Sequence, residues 1–362
     1  MTAQDHAEPG PRIVISVDAM GGDRGPVAVI AGLSESVTRH PGIRFIVHGD
    51  KAKLNDLIAR RRNLAGLCDI RHTDKTVRMD EKPSHVMRNG KGTSMWSAID
   101  SVREGEATVA VSCGNTGALM AVSMVRLRKA PGVSRPAIAI FWPSENPQGN
   151  NVMLDVGADV RAEPTDLLQY ALMGASYARN GLGLAVPRIG LLNVGTEENK
   201  GRAGLKEAHD LITDAAEANR FTFVGFVEGG DIPSRRVDVI VTDGFTGNVA
   251  LKTAEGTAFY VRRLLEQAFR YSILSRLGAL FALTSLRRFA REIDPRRANG
   301  GVFLGLNGTV IKSHGDADAT GVAAAIKLAY QLAQTGFSQK LAARVASGLP
   351  KREDGESAAA ES

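Results

Sequence analysis

Cysteine, long apolar runs and the signature motifs of several enzyme classes are scarce or missing in this chain, and each scarcity excludes something. Cys68 and Cys113 are the two cysteines among 362 residues, too few for a disulfide framework or a thiolate cluster. A reducing compartment is the simplest setting for them. No apolar run reaches the roughly 18 residues of a spanning helix. The opening residues MTAQDHAEPGP lack the basic start and apolar centre of a secretory signal. The chain is therefore expected to be cytoplasmic and not threaded through a bilayer. A nicotinamide fingerprint is absent, because GLGLAVP at 181–187 lacks the third glycine and precedes a strand. Lys91 in GKGTS would need a glycine at position 85 to complete a Walker A loop, and that residue is His85. No H-E-x-x-H occurs, and MGASYA around Ser176 sits in a helical pattern, not at a strand-to-helix elbow.

What is abundant is glycine: 39 residues, well above the usual share of about 7%, gathered at the ends of apolar runs. The 43% of hydrophobic residues suffice for a sizeable core. Short β-branched runs alternate with helical patterns: RIVISVD then 26–39, RFIVHGD then 51–62, ATVAVSCG then 115–127, NVMLDVG then 164–180, PRIGLLNVG then 202–219, FTFVGFV, and VDVIVTDG then 246 onward. This rhythm predicts a three-layer αβα, Rossmann-like unit over 12–350 with a mostly parallel sheet. GVFLGLNGTVIKSHG at 301–315 reads as a strand and a polar turn, followed by an amphipathic helix over about 318–347. The ends, 1–11 and 351–362, read as disordered tails. Ligands bind beyond the carboxyl ends of parallel strands, and those ends (DAMGGD, SCGNTG, DVGAD, NVGTEENKG, TDGFTG) carry glycine with Asp, Asn, Ser or Thr. Polar chemistry is therefore expected along one edge of the sheet.

Two of these junctions share a layout. VAVSCGNTGALMAV at 109–122 and VIVTDGFTGNVALKT at 239–253 both run from apolar strand through Gly-x-Thr-Gly into apolar helix. A helix start offers unpaired N–H groups and a positive dipole end, which suits an anion such as phosphate. Either turn alone is explained by Thr116 or Thr246 capping its helix. Two copies, with Lys91, Lys200, Lys252 and Lys312 near strand ends, favour a phosphate cradle, and the net charge of +6 permits acidic partners. Lys252 shares a helix face with Asn248. Asp18, Asp23, Asp155, Asp159 and Asp243 have no metal-ligand spacing, so strand-end capping or a base role is expected of them, with no metal and no cofactor. Cys113 lacks a neighbouring histidine in sequence, and a small residue packed in a tight turn explains it better than a nucleophile.

VDAMGGDRGP, SCGNTGALM, MLDVGAD, GLLNVGTEENKG, VDVIVTDGFTGNVALKT and VIKSHG, in this order, closely resemble the bacterial phosphate acyltransferase family, over about residues 12–345. The resemblance implies a sheet similar to isopropylmalate dehydrogenase and phosphotransacetylase. It also implies a homodimer that moves a fatty acyl group from acyl-acyl-carrier protein to inorganic phosphate. The acyl phosphate would feed a downstream glycerol-3-phosphate acyltransferase in phospholipid synthesis, at the inner face of the membrane. Nucleic acid is not an expected partner. Cys113 departs from the alanine usual in the family. Lys200, Asp243, Asn248 and Lys252 are the expected catalytic residues. Substrate binding is expected from Asp18, Gly21, Gly22, Asp23, Lys91, Ser112, Gly114, Asn115, Thr116, Asn193, Gly195, Thr196, Gly244, Thr246, Gly247, Lys312 and His314. The rival readings are a phosphotransacetylase using a coenzyme A thioester and a non-catalytic membrane scaffold.

The segment 256–297 stands apart as a helical excursion dense in arginine. Ile273, Leu274, Leu277, Leu280, Phe281, Leu283 and Leu286 form its apolar centre, flanked by Arg262, Arg263, Arg270, Arg276, Arg287, Arg288 and Arg291. A surface-lying contact with an anionic membrane is expected there, with a dimer interface or packing on the sheet as the competing explanations.

Overall fold

The structure, a computed structural model, describes residues 13–292, 300–337, 340, 341 and 343. The two expected tails, the side chain of Arg291 and most of 338–350 lie outside the described residues. The strands are β1 (Ile13–Asp18), β2 (Ile43–Gly49), β3 (Cys68–His72), β4 (Val109–Ser112), β5 (Ala137–Pro143), β6 (Asn150–Leu154), β7 (Arg188–Leu192), β8 (Thr222–Val227), β9 (Val239–Val241), β10 (Gly301–Leu304) and β11 (Thr309–Lys312). The helices are α1 (Gly25–Val37), α2 (Lys51–Ala59), α3 (Pro83–Asn89), α4 (Ser94–Arg103), α5 (Thr116–Arg126), α6 (Pro164–Leu182), α7 (Ala203–Ala215), α8 (Gly244–Arg270), α9 (Ile273–Phe281), α10 (Leu283–Glu292) and α11 (Ala319–Thr335). All the strands join one sheet in the order β3-β2-β1-β4-β11-β10-β5-β6-β9-β7-β8.

Strand period decides which helices cover which face. Along β5, Ala137 and Ala139 enter a core closed by α1, α6 and α11, whereas Ile138 and Ile140 enter a second core shared with α4 and α5. The three-layer αβα expectation holds, and most pairings are parallel.

The single-edge expectation does not hold. The pairings β11–β10, β10–β5 and β5–β6 are antiparallel, so β6, β9, β7 and β8 run opposite to β1, β2, β3, β4 and β11. The carboxyl ends of the two halves consequently lie at opposite edges. Residues 301–315 form a hairpin of two strands, where one strand and a turn were expected. Three consecutive reversals at the centre of the sheet leave a region where ligand access is across a face, and α8 lies over that face.

Candidate active site

A cleft of about 870 Å³ opens between α8 and the centre of the sheet. Its lining includes Asp23, Thr116, Asn248, Lys252, Lys312 and His314 from the expected set, together with Glu255, Ile138, Ile140 and Trp142. The loops after β1, β4 and β11 build one wall. They interlock: the N–H of Asp23 donates to the carbonyl of Gly315 (2.7 Å), and a Cβ on Gly22 (φ +88°) would stand 2.8 Å from that same oxygen and from Cys113 Cβ. Close backbone approach, not ligand contact, explains this glycine.

Asp18 is a buried anchor of the same wall. Ser112 donates from Oγ to its Oδ2 (2.7 Å), and the N–H of Gly114 donates to Ser112 Oγ (3.0 Å). Burial pushes the Asp18 carboxyl above the usual carboxylate range, against bonds from Ser112, Ser94, Met20 and Gly21. Gly21 is packed so closely on Asp18 and Gly114 that a Cβ would come within 2.7 Å of both. Asp18, Ser112, Gly21, Gly22 and Gly114 thus hold the wall, while Asp23 and Thr116 face the cleft.

The two matching turns differ in what they leave free. At α5 the cap is Asn115, whose side chain accepts from Ala118 N (2.9 Å) and donates to the carbonyl of Met79 (2.6 Å). Among the described residues, none accepts from the N–H groups of Thr116 and Gly117. At α8 the cap is Asp243, which accepts from Thr246 N (2.7 Å) and Thr246 Oγ1 (3.0 Å). The N–H of Gly244 donates to Asp159 and that of Gly247 to Asp243, and a Cβ at Gly247 would meet the Asp155 carbonyl at 1.9 Å. The glycines of this second turn seat α8 against the 155–159 loop. In neither turn is the threonine itself the N-cap.

Beyond its first turn α8 carries the polar end of the cleft. Lys252 donates to Glu255 Oε2 and His314 donates from Nε2 to Glu255 Oε1, both at 2.8 Å. Burial pushes the Glu255 carboxyl up, but the bonds from His314 and Lys252 outweigh it and hold the group below its ordinary range. Glu255 was not singled out in the sequence, although its i, i+3 spacing from Lys252 placed it on the same helix face. Lys312 is more buried than Lys252. It donates to the carbonyls of Ser313 and Cys113, the latter at 3.4 Å, and burial brings its ammonium down to about 8. Cys113 is buried and its thiol is pushed up by burial, the opposite of an activated nucleophile.

Lys200, Asn193, Gly195 and Thr196 are not brought to the cleft. Lys200 pairs with Glu197 (2.7 Å) on an exposed loop, a Cβ at Gly195 would meet the lysine's own stem at 2.5 Å, and Asn193 donates to the Lys200 carbonyl (3.2 Å). This loop follows β7, at the reversed edge of the sheet. Asp243, Gly244, Thr246 and Gly247 lie at that edge too, where Arg202 stands 3.8 Å from Asp243. Lys91 is exposed in the turn before α4 and does not line the cleft.

Comparison with known proteins places these features in a family. The profile described as "Fatty acid synthesis protein" matches residues 13–340. The phosphate acyltransferase of Paracoccus denitrificans (strain Pd 1222) is 70% identical over 340 residues, covering 94% of this chain and 92% of that protein. The phosphate acyltransferase of Jannaschia sp. (strain CCS1) is 70% identical over 333 residues, covering 92% and 91%. Among solved structures, a phosphotransacetylase from Streptococcus pyogenes superimposes with a TM-score of 0.60 at 17% identity, covering 91% of this chain and 94% of that one. One from Staphylococcus aureus gives 0.56 at 16% identity with the same coverage. At these identities the structural likeness speaks to the fold alone.

Proposed function

The chain belongs to the fatty acid synthesis protein family, and on that premise we propose that it moves a fatty acyl group from the thioester of an acyl-carrier protein to inorganic phosphate. Acyl transfer to phosphate is the activity of this enzyme. The carrier protein as donor, the acyl phosphate as a precursor for glycerol-3-phosphate acylation, and the residue roles below are the reading we attach to it.

The observation that carries the reading is the pair of amides at the start of α5, Thr116 and Gly117, without an acceptor among the described residues, beside a cleft lined by Thr116, Lys312 and Lys252. Phosphate dianion would sit on this helix start, its charge balanced by the two ammonium groups. Phosphate loses its second proton with a pKa of roughly 6 to 7, so the dianion is well populated at neutral pH and needs no general base. One of its oxygens attacks the thioester carbonyl, the new C–O bond forms as the C–S bond breaks, and the thiolate leaves. A thiol of ordinary pKa, about 8.5, is a good leaving group, and the proton it takes up is the one that the phosphoryl group sheds on becoming an acyl phosphate, which His314, held by Glu255, would pass on. In this reading Asn248, which lines the cleft, donates to the oxyanion that develops on the acyl carbonyl. Binding two anionic partners in the correct orientation then supplies most of the acceleration.

The protein acts as a homodimer at the membrane surface in this reading, with α9 and α10 as the membrane contact. None of the described helices is long and apolar enough to cross a bilayer. The supporting observation is that the apolar stripe of α9 is left uncovered by the described residues: Leu274 is 80% and Phe281 88% exposed. Incubation of the protein with hexadecanoyl-acyl-carrier protein and phosphate, followed by mass detection of hexadecanoyl phosphate, tests the donor. Turnover with acetyl-coenzyme A in its place would support a phosphotransacetylase instead.

A further inference from the structure

The polar end of the cleft continues into an apolar one, and the sheet register shows how. Gly301 pairs with Lys312 on one side, and because Val302 pairs with Ala139, the antiparallel step puts Gly301 beside Ile140 on the other. Directly paired residues project to the same face, so Lys312, the empty position of Gly301 and Ile140 form one row across the sheet under α8. A Cβ at Gly301 would stand 2.9 Å from Ile138 Cγ2 and 3.7 Å from Ile140 Cγ2. A strand glycine at such a position marks close approach of a ligand or backbone. On β5 the residues on this face are Ile138, Ile140 and Trp142, and all line the cleft. Opposite them, α8 presents Leu251, Ala254 and Ala258, at i, i+3 and i+7 on the helix face that also bears Asn248 and Glu255. From Asn248 to Ala258 is about 15 Å of helix at 1.5 Å per residue, far more than a two-carbon acyl group fills.

We propose that this groove between β5 and α8 is the subsite for the acyl chain: the carbonyl lies near Lys312, the alkyl tail runs over Gly301 and Ile140, and Trp142 with Ala258 sets how long a tail is held. The inference rests on the acyl-transfer reading and adds to it the residues that select chain length. Alanine at 254 and 258 leaves the space that a larger side chain would take from the tail, and Trp142, partly buried two residues beyond Ile140 on β5, covers its far part. Each methylene seated against this floor raises kcat/KM up to about fourfold, the equivalent of about 0.8 kcal/mol, until the chain passes the tryptophan.

Two measurements test it. The first is kcat/KM for butanoyl, octanoyl, dodecanoyl and hexadecanoyl thioesters of one carrier protein. In Ala258→Phe and Ala254→Phe the hexadecanoyl-to-butanoyl ratio is expected to fall tenfold or more, and in Trp142→Ala the profile shifts without a uniform loss. Ratios unchanged in all three variants would overturn the groove. The second is tryptophan emission with sodium dodecanoate against sodium butanoate, which requires no turnover. Dodecanoate should blue-shift the wild type but not Trp142→Phe, and butanoate should shift neither. An identical response in wild type and Trp142→Phe would overturn the groove. A wild type inactive on every thioester would sink the acyl-transfer reading, while the emission result would still judge the subsite separately.

Discussion

Lys312 is the residue on which the proposed chemistry turns. Burial lowers its ammonium to about 8, with Cys113 opposing that shift and Lys252 reinforcing it, so the charge that would neutralise phosphate is present below that pH and lost above it. The expected pH profile of kcat/KM for phosphate therefore has an alkaline limb near pH 8. In Lys312→Arg the limb should move up, because guanidinium titrates above about 12; a limb at the same pH in the variant would assign it to another group. Cys113, by contrast, should be dispensable: Cys113→Ala keeps most of the activity, and an acyl group trapped on Cys113 during turnover would contradict direct attack by phosphate. His48 governs stability, not chemistry. Ser16 donates its hydroxyl to the Ala98 carbonyl (2.8 Å), so His48 donates from Nε2 to Ser16 (2.9 Å) and accepts from Ser97 at Nδ1 (2.8 Å), a neutral tautomer. Burial depresses its pKa to about 4. The unfolded chain then binds a proton that the folded one does not between the ordinary value, about 6.5, and about 4, and stability falls as pH falls through that window. The thermal midpoint should drop across it, and less steeply in His48→Gln.

Among the elements, α8 carries most of the proposed site. Its first turn is closed on itself by Asp243 and the 155–159 loop, and its second and third turns present Asn248, Lys252 and Glu255 to the cleft. Asn248→Ala and Lys252→Ala are each expected to raise the barrier by on the order of 3 kcal/mol, the cost of losing one oxyanion or charge donor, with folding intact by circular dichroism. Near-normal turnover in both would reduce this helix to scaffolding. Sequence reasoning reached Asn248 and Lys252 through the helix face they share. It credited the Gly-x-Thr-Gly turn to an anion because glycine in a turn looks the same whether it admits a ligand or another backbone. Only the position of the Asp155 carbonyl behind Gly247 separates the two. Further along, Ile273, Leu274, Leu280 and Phe281 are exposed, which removes packing on the sheet as their explanation within one chain. Wild type should float with anionic liposomes and release partly at high salt, while Leu280→Glu with Phe281→Glu should stay in solution as an active dimer. Dissociation of that variant into monomers would make α9 a subunit interface instead.

In the whole molecule, the α/β rhythm gave away the layers, the helices α1, α2, α5, α6 and α7 and the order of the motifs. It hid β3, β5, the β10–β11 hairpin and the short helices α3 and α4. A strand that returns through a turn, as β5 does into β6 across 144–149, has no helix to announce it, and the reversal it causes is a property of the pairing, not of any residue. That reversal separates Lys200 and Asn193 from Lys252 and Lys312, which a single polar edge would have gathered. It also moves the proposed ligand site from an edge to a cleft across a face, where the proposal seats a fatty tail beside a phosphate. The most direct test of acyl transfer in that cleft is a single incubation of the purified protein with hexadecanoyl-acyl-carrier protein and inorganic phosphate labelled with oxygen-18, analysed by mass spectrometry. The predicted result is hexadecanoyl phosphate whose bridging oxygen comes from the labelled phosphate, formed in step with the free carrier thiol and without an acylated protein. Release of the carrier thiol at the same rate with and without phosphate, yielding free hexadecanoate, would contradict it.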